Sequence, residues 1–352
     1  MSDNKLGQIN FSQVAMNLRA FIALIALVIF FSFAHAHFLT PTSIITIMRH
    51  VTLNAIVAIG ITFVILTGGI DLSIGSVIGF SGMIAGGLIF EGINLGFLGI
   101  TIFPSIPVVI FMTIIVGILI GLFNGILVTK FNVPAFIATM GSMFMFRGFA
   151  LLRSDGRTFP NLVGRAELGN TGFPQFGTGS FLGIPYTLMI LAVLTIVAIY
   201  VAKKTPFGRH VYAVGGNENA AKLSGIQVGR VKTIAFMISG GCAAIVGLII
   251  TSQLAAAHPA TGTAFEMNAI AASVLGGTSL AGGRGAIGGA VLGAFVIGVL
   301  NDGMIMMGVS SFWQTVIRGA VIILAVIIDQ MQNRGPLKNS LIKARLKAGA
   351  AK

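Results

Sequence analysis

The chain has 352 residues, of which 55% are hydrophobic and only 9% charged, with 47 glycines. A soluble domain carries about 25% charged residues, so a water-facing surface for this mass is excluded, as are a disordered chain and a disulfide scaffold. The net charge is +13. The basic residues lie between apolar runs and in the C-terminal stretch, without aromatic interleaving or a recognition helix, so nucleic acid is not an expected partner. Mean hydropathy is +0.97. At ~20 apolar residues per span, the chain has room for about ten membrane helices. The expected fold class is therefore all-α: a polytopic integral membrane protein with some helices broken by glycine.

In chain order, residues 1–19 are expected as a cytoplasmic N-terminus, 20–330 as the transmembrane domain and 331–352 as a basic cytoplasmic tail. The apolar run from about Phe21 lacks a small-residue cleavage site and reads as the first span. Spans are expected near 20–38, 45–66, 74–91, 107–129, 134–152, 186–202, 233–254, 266–282, 285–308 and 311–329. The eighth is the weakest. Met267 to Ser279 is small, polar-flecked and Gly-rich, and suits a re-entrant or broken helix. With the N-terminus inside, sixteen Lys and Arg fall in cytoplasmic segments. Three, Arg153, Arg157 and Arg165, fall in the outer loop, which favours N-in and C-in.

Two polar segments interrupt the apolar runs. Ser154–Pro185 is rich in Gly, Phe, Pro and Asn and faces outward. It reads either as a connector or as a lip that docks an external partner. The segment 203–232 faces the cytoplasm. Pro206 and Gly208 end the preceding helix. Asn217 is placed to cap a short helix over Glu218–Ser224, and Gly225 to stop it.

A weak internal echo links Gly68-Gly69-Ile70-Asp71-Leu72-Ser73-Ile74-Gly75 to Gly276-Gly277-Thr278-Ser279-Leu280-Ala281-Gly282-Gly283. Gly121–Gly125 similarly echoes Gly298–Gly303. Duplicated halves with Gly-broken helices are common in transporters, and chance matching of glycines is the alternative. The small-residue steps Gly117–Gly121 and Gly289–Gly293 suit close helix packing.

No HExxH, GxSxG or Walker A lysine is present, and Cys242 is the sole cysteine. That leaves no catalytic residue, no metal site and no cofactor to expect. The chain reads as a transport protein and not an enzyme, and any ATP it uses is hydrolysed by another chain. His35 and His37 form a loose pair at the outer end of the first span and read as interfacial. Intramembrane polar residues are the informative ones, because they are costly there. Asp71 has two readings: a helix break that lines the pathway with Ser73, or a turn that caps the third span. Arg147 and Arg318 read as paired or snorkelling residues, or as path lining. Asn54, Asn124, Asn301, Asp302 and Gln314 add hydrogen-bonding groups, which suit a neutral polyol better than fixed charges do. The tentative translocation path is Asn54, Asp71, Ser73, Asn124 and Asn301.

FLTPTSIITIMRH leading to AIGITFVILTGGIDLSIGSVIGFSG resembles the membrane subunit of ribose-type ABC sugar importers. GLFNGILVTKFNVPAFIATMGSMFMFRGFAL, TPFGRHVYAVGGNENAAKLSGI, ASVLGGTSLAGGRGAIGGAVLGAFVIGVLNDGM and FWQTVIRGAVIILAVIIDQ extend the resemblance over roughly residues 20–330. It implies a homodimeric permease in the bacterial inner membrane that works with an ATP-binding cassette ATPase subunit and a periplasmic sugar-binding protein. It also implies that 203–232 is the ATPase-coupling loop, carried here by Gly208, Gly216, Asn217, Ala220, Ala221 and Gly225. Pentoses, hexoses and polyols are all open as substrates. The rival class is an ion-coupled secondary carrier. The basic tail suits anionic lipid headgroups of the bilayer.

Overall fold

The computed structural model describes residues 11–96, 99–324, 326 and 327. The basic tail expected over 331–352 lies outside these residues, as do the first ten residues of the expected N-terminus. The described chain is almost entirely helical. Its long helices are α1 (Phe11–Ala34), α2 (Pro41–Leu66), α3 (Ile74–Phe90), α4 (Ile106–Thr129) and α5 (Ala135–Leu152). After the segment 154–185 comes α7 (Tyr186–Lys204), then α10 (Val228–Leu254), α11 (Phe265–Leu275), α12 (Ile287–Met306) and α13 (Ser311–Leu324). The short helices α6 (Phe173–Thr178), α8 (Pro206–Gly216) and α9 (Glu218–Leu223) lie between them. Two small antiparallel hairpins complete the fold: β1 (Ile93–Leu95) with β2 (Ile100–Ile102), and β3 (Ser180–Phe181) with β4 (Ile184–Pro185).

Six helices, α2, α4, α5, α7, α10 and α12, are long and apolar enough to cross a bilayer. The first helix starts at Phe11, nine residues before the expected span. The expected eighth span takes the broken form that its Gly-rich sequence suits. Its helix, α11, has 11 residues, about 16 Å at 1.5 Å per residue, half the ~30 Å hydrocarbon core. The rest of that segment, from Gly276 to Ala286, is non-helical backbone.

The centre of the molecule is α2 and α10. Every residue of α2 from Val51 to Leu66 is buried. This all-round burial explains why its sequence has no polar face: neighbouring helices replace water on every side. Close approach between α4 and α10 depends on glycine. A Cβ on Gly117 would sit 2.5 Å from both the Gly240 carbonyl oxygen and the Ala244 Cβ, and one on Gly121 would collide with the Phe236 carbonyl. The second small-residue step, Gly289–Gly293, faces Gly276 and Ala272 and brings α12 onto α11. Large apolar side chains such as Phe111, Phe144, Leu152 and Ile196 point outward, as suits a surface bathed in lipid.

The segment 154–185 is a packed cap. Phe159 and Ala257 exchange backbone hydrogen bonds at 3.0 and 2.9 Å, and Leu162 N–H donates to the Ala255 carbonyl at 2.8 Å. Ser252 of α10 accepts from the Gly177 amide at 2.8 Å and donates to the Phe173 carbonyl at 2.6 Å. Phe159, Leu162 and Phe173 are buried beneath it. Whether connector or docking lip, the segment sends Phe159, Leu162 and Phe173 into a core shared with Met83 of α3, Val109 of α4 and Leu248 of α10.

Candidate functional site: two helix breaks, a coupling pair and a polar cleft

Helices α2 and α11 end in the same way. Gly68 (φ +80) donates to the Ile65 carbonyl at 2.8 Å and Gly69 to Val64 at 3.1 Å. Gly277 (φ +92) donates to Val274 at 2.9 Å and Thr278 to Ser273 at 2.9 Å. Each is a Schellman-type C-cap in which a left-handed residue turns the chain out of the helix. Glycine adopts that conformation without a Cβ penalty. The sequence echo thus has a local counterpart in backbone geometry. The two breaks also touch: the Gly283 amide donates to the Leu66 carbonyl at 3.0 Å.

Asp71 sits in the first break and is 1% exposed. Its carboxylate accepts from the Ser73 amide at 3.0 Å, the Ser73 hydroxyl at 2.6 Å and the Ser239 hydroxyl at 2.8 Å. The Asn124 amide donates to the Ser73 hydroxyl at 2.8 Å, and Ser142 donates to the Asn124 carbonyl oxygen. This satisfied buried network joins the α2–α3 break to α4, α5 and α10. A carboxylate inside a bilayer protein needs such donors, because burial without partners is costly. Arg147 serves the first turns of α3, next to the same break. Its guanidinium donates to the carbonyls of Pro259 at 2.5 Å, Thr261 at 2.9 Å and Gly75 at 3.0 Å, which is the paired role among those open for it.

The segment 203–232 folds as two helices where one was expected. Thr205 caps α8 by accepting from the Gly208 amide at 3.2 Å. Asn217 caps α9 by accepting from the Ala220 amide at 3.0 Å. Gly225, with φ +83, follows the end of α9. The α8 helix lies against both breaks: a Cβ on Gly215 would collide with the Leu66 carbonyl and the Gly283 amide. Tyr212 adds a hydrogen bond from its hydroxyl to the Gly285 carbonyl at 3.0 Å. Burial pushes the Tyr212 phenol above its ordinary pKa, so it stays a donor. Gly208 and Ala221 are buried, while Gly216, Asn217, Ala220 and Gly225 are exposed.

Of the tentative path residues, Asp71, Ser73 and Asn124 are brought together in the buried network. Asn54 and Asn301 are brought together elsewhere, in a cleft of about 250 Å³ between α2, α11, α12 and α13. The key contact there was not foreseen: the His50 Nδ1 lies 2.8 Å from an Asp302 carboxylate oxygen. His50 and Asp302 are 252 positions apart, so no local pattern announces the pair. Gln314 and Arg318 also line this cleft. Glu266, buried at the first turn of α11, was likewise missed, since one acid at a helix start carries no distinctive spacing. No group of three or more His, Cys, Asp or Glu able to hold a metal occurs among the described residues.

Broken and continuous apolar helices, with a short helical pair between α7 and α10, suit a membrane transport protein. Residues 43–326 match the family described as branched-chain amino acid transport system / permease component. The chain belongs to that permease family. The ribose import permease protein RbsC of Bacillus subtilis (strain 168) is 43% identical to it over 326 residues, covering 93% of this chain and 96% of the relative. The RbsC protein of Haemophilus influenzae (strain ATCC 51907 / DSM 11121 / KW20 / Rd) is 40% identical, covering 94% and 98%. The xylose transport system permease protein XylH of that strain is 34% identical, covering 91% and 98%. No solved structure matches. The permease is therefore a multi-pass inner-membrane transport subunit.

Proposed function

We propose that this permease is the membrane subunit of an ATP-driven importer that carries a monosaccharide, a ribose-like pentose, hexose or polyol, across the bacterial inner membrane. The relatives named for ribose and xylose import support the substrate class. ATP hydrolysis belongs to a partner ATP-binding cassette subunit, and the permease itself catalyses no reaction. A periplasmic sugar-binding protein delivers substrate to the outer face, where the packed cap over 154–185 is the proposed docking lip. Two copies of the chain form the transport unit. The six long spans together with the shorter apolar helices α1, α3, α11 and α13 support ten membrane segments. The excess of Lys and Arg in the segments read as cytoplasmic supports N-in and C-in.

The observation that carries this reading is the contact of Gly215 with Leu66 and Gly283. A coupling helix wedged against both breaks transmits a push from the ATPase to α2, α3, α11 and α12 together. The residues proposed to face or support the ATPase are Gly208, Gly216, Asn217, Ala220, Ala221 and Gly225. Asn54 and Asn301 are proposed to line the path, and Asp71, Ser73 and Asn124 to form the buried joint beside it. The test is recovery of the tagged chain from its native membrane in mild detergent, with partners identified by mass. Co-purification of an ATPase chain supports the proposal. Recovery of the permease alone, in both detergent and lipid nanodiscs, favours an ion-coupled carrier instead.

A further inference from the structure

We infer that the cleft holding His50 and Asp302 is a sugar-binding subsite within the permease itself. The inference rests on the proposed sugar-import function and adds a location and a chemistry to it. The cleft gathers amide, imidazole, carboxyl and guanidinium side chains among otherwise apolar helices. Asn54 and Asp302 are 8% and 7% exposed, and both contribute to its wall. One buried oxygen on each side chain, Asn54 Oδ1 and Asp302 Oδ2, accepts no hydrogen bond, and the same holds for Asn301 Oδ1. Three acceptors on two helices that wall this cleft thus lack donors.

Unmet buried acceptors are expensive and rare, so a site that gathers three is built to receive donors. A vicinal diol supplies O–H donors at close spacing. Asn268 and Gln314, with the Arg318 guanidinium, also line the cleft and can supply donors to hydroxyl oxygens. The Arg318 charge opposes a bare cation in the same place. At about 250 Å³ the cleft is just below the ~300–1,000 Å³ of pockets for drug-sized ligands, which suits a single sugar ring.

The His50–Asp302 pair also lines a second cleft of about 180 Å³, walled by Thr42, Ser43 and Thr46 at the start of α2. The pair is therefore a shared wall between the subsite and a hydroxyl-lined space nearer the end of the helix.

The test uses the full chain in lipid nanodiscs. Its one native thiol, Cys242, is buried, so Asn301→Cys supplies the reactive thiol. Asn268→Cys, also in the cleft lining, is a second reporter in case the first fails to fold. Labelling by a methanethiosulfonate reagent is timed with no sugar and with saturating ribose, xylose or sorbitol. The subsite predicts severalfold slower labelling at Asn301→Cys or Asn268→Cys with at least one sugar. Labelling of Leu223→Cys, 90% exposed on α9, should not change. Equal rates with and without every sugar at a folded reporter overturn the subsite, even where the assembled importer takes up ribose. Protection in a chain whose importer takes up no sugar keeps the subsite and overturns the import reading.

Discussion

The Gly283 amide donates to the Leu66 carbonyl at 3.0 Å, so the ends of two broken membrane helices from distant parts of the chain are fastened to each other. Gly215 of α8 closes over the same pair. Replacing Gly215 by Val forces a side chain into backbone that cannot yield easily. Overpacking of this kind costs about 1–3 kcal/mol. The expected outcome is a lower unfolding temperature in detergent and uptake uncoupled from ATP hydrolysis, measured as ATP turned over per sugar imported.

Asp71 separates the two transport classes. Asn at this position keeps an acceptor for Ser73, and the Ser239 hydroxyl can turn to accept from the new amide. Asp71→Asn should therefore retain most uptake, at a stability cost below about 1.5 kcal/mol. Asp71→Leu leaves Ser73 and Ser239 without their acceptor and should cost about 2–4 kcal/mol by the same reasoning. Uptake assays and thermal unfolding check both. Abolished uptake in a stable Asp71→Asn protein is the result an ion-coupled carrier gives.

Gly117 and Gly240 let the α4 and α10 backbones meet. Gly117→Leu should separate these helices and destabilise the fold by more than about 3 kcal/mol, above the usual overpacking range because backbone opposes the new atoms. Loss of monodisperse protein on size exclusion is the readout. Gly141→Leu, where a Cβ meets nothing within 4 Å, should be silent.

Arg147 holds three carbonyls with one planar fork. Lys carries the same charge on a single nitrogen and cannot span them. Arg147→Lys should lower stability by about 1–3 kcal/mol through the unmet carbonyls, read as a shift in thermal unfolding.

The Asn217 cap is a local element with a direct test. Asn217→Ala should loosen α9 at a cost of about 0.5–2 kcal/mol. The neighbouring pair of Lys232 with Glu218 at 2.6 Å has its carboxylate half-exposed and should add less than about 1 kcal/mol. Reduced coupling of ATP hydrolysis to uptake in Asn217→Ala, with little effect of Glu218→Gln, is the expected pattern.

Much of the fold was legible because the constraint is simple: long apolar runs must be helices in a membrane. The ends of α2, α4, α5 and α10 fall where the apolar stretches stop, at Leu66, Thr129, Leu152 and Leu254, whereas α2 and α10 start four and five residues earlier than expected. The cap at Asn217 and the stop near Gly225 were readable because capping is local. The half-length of α11 was only partly readable, since a Gly-rich run does not say where backbone hydrogen bonds cease. The polar cleft was the least legible. Its Asn54 and Asn301 stood out as amides in apolar helices, but the partnership of His50 with Asp302 exists only once α2 and α12 pack. Arg147 could be flagged as buried charge, yet its carbonyl partners on distant loops had no sequence signal.

The central claim is that this chain forms the membrane path of an ATP-driven sugar importer. The most direct test reconstitutes the permease in liposomes with its co-purifying ATPase and binding protein, and follows labelled ribose and xylose. The account predicts sugar accumulation that requires ATP on the ATPase side and survives collapse of proton and sodium gradients. Accumulation by the permease alone, driven by an ion gradient without ATP, would contradict it.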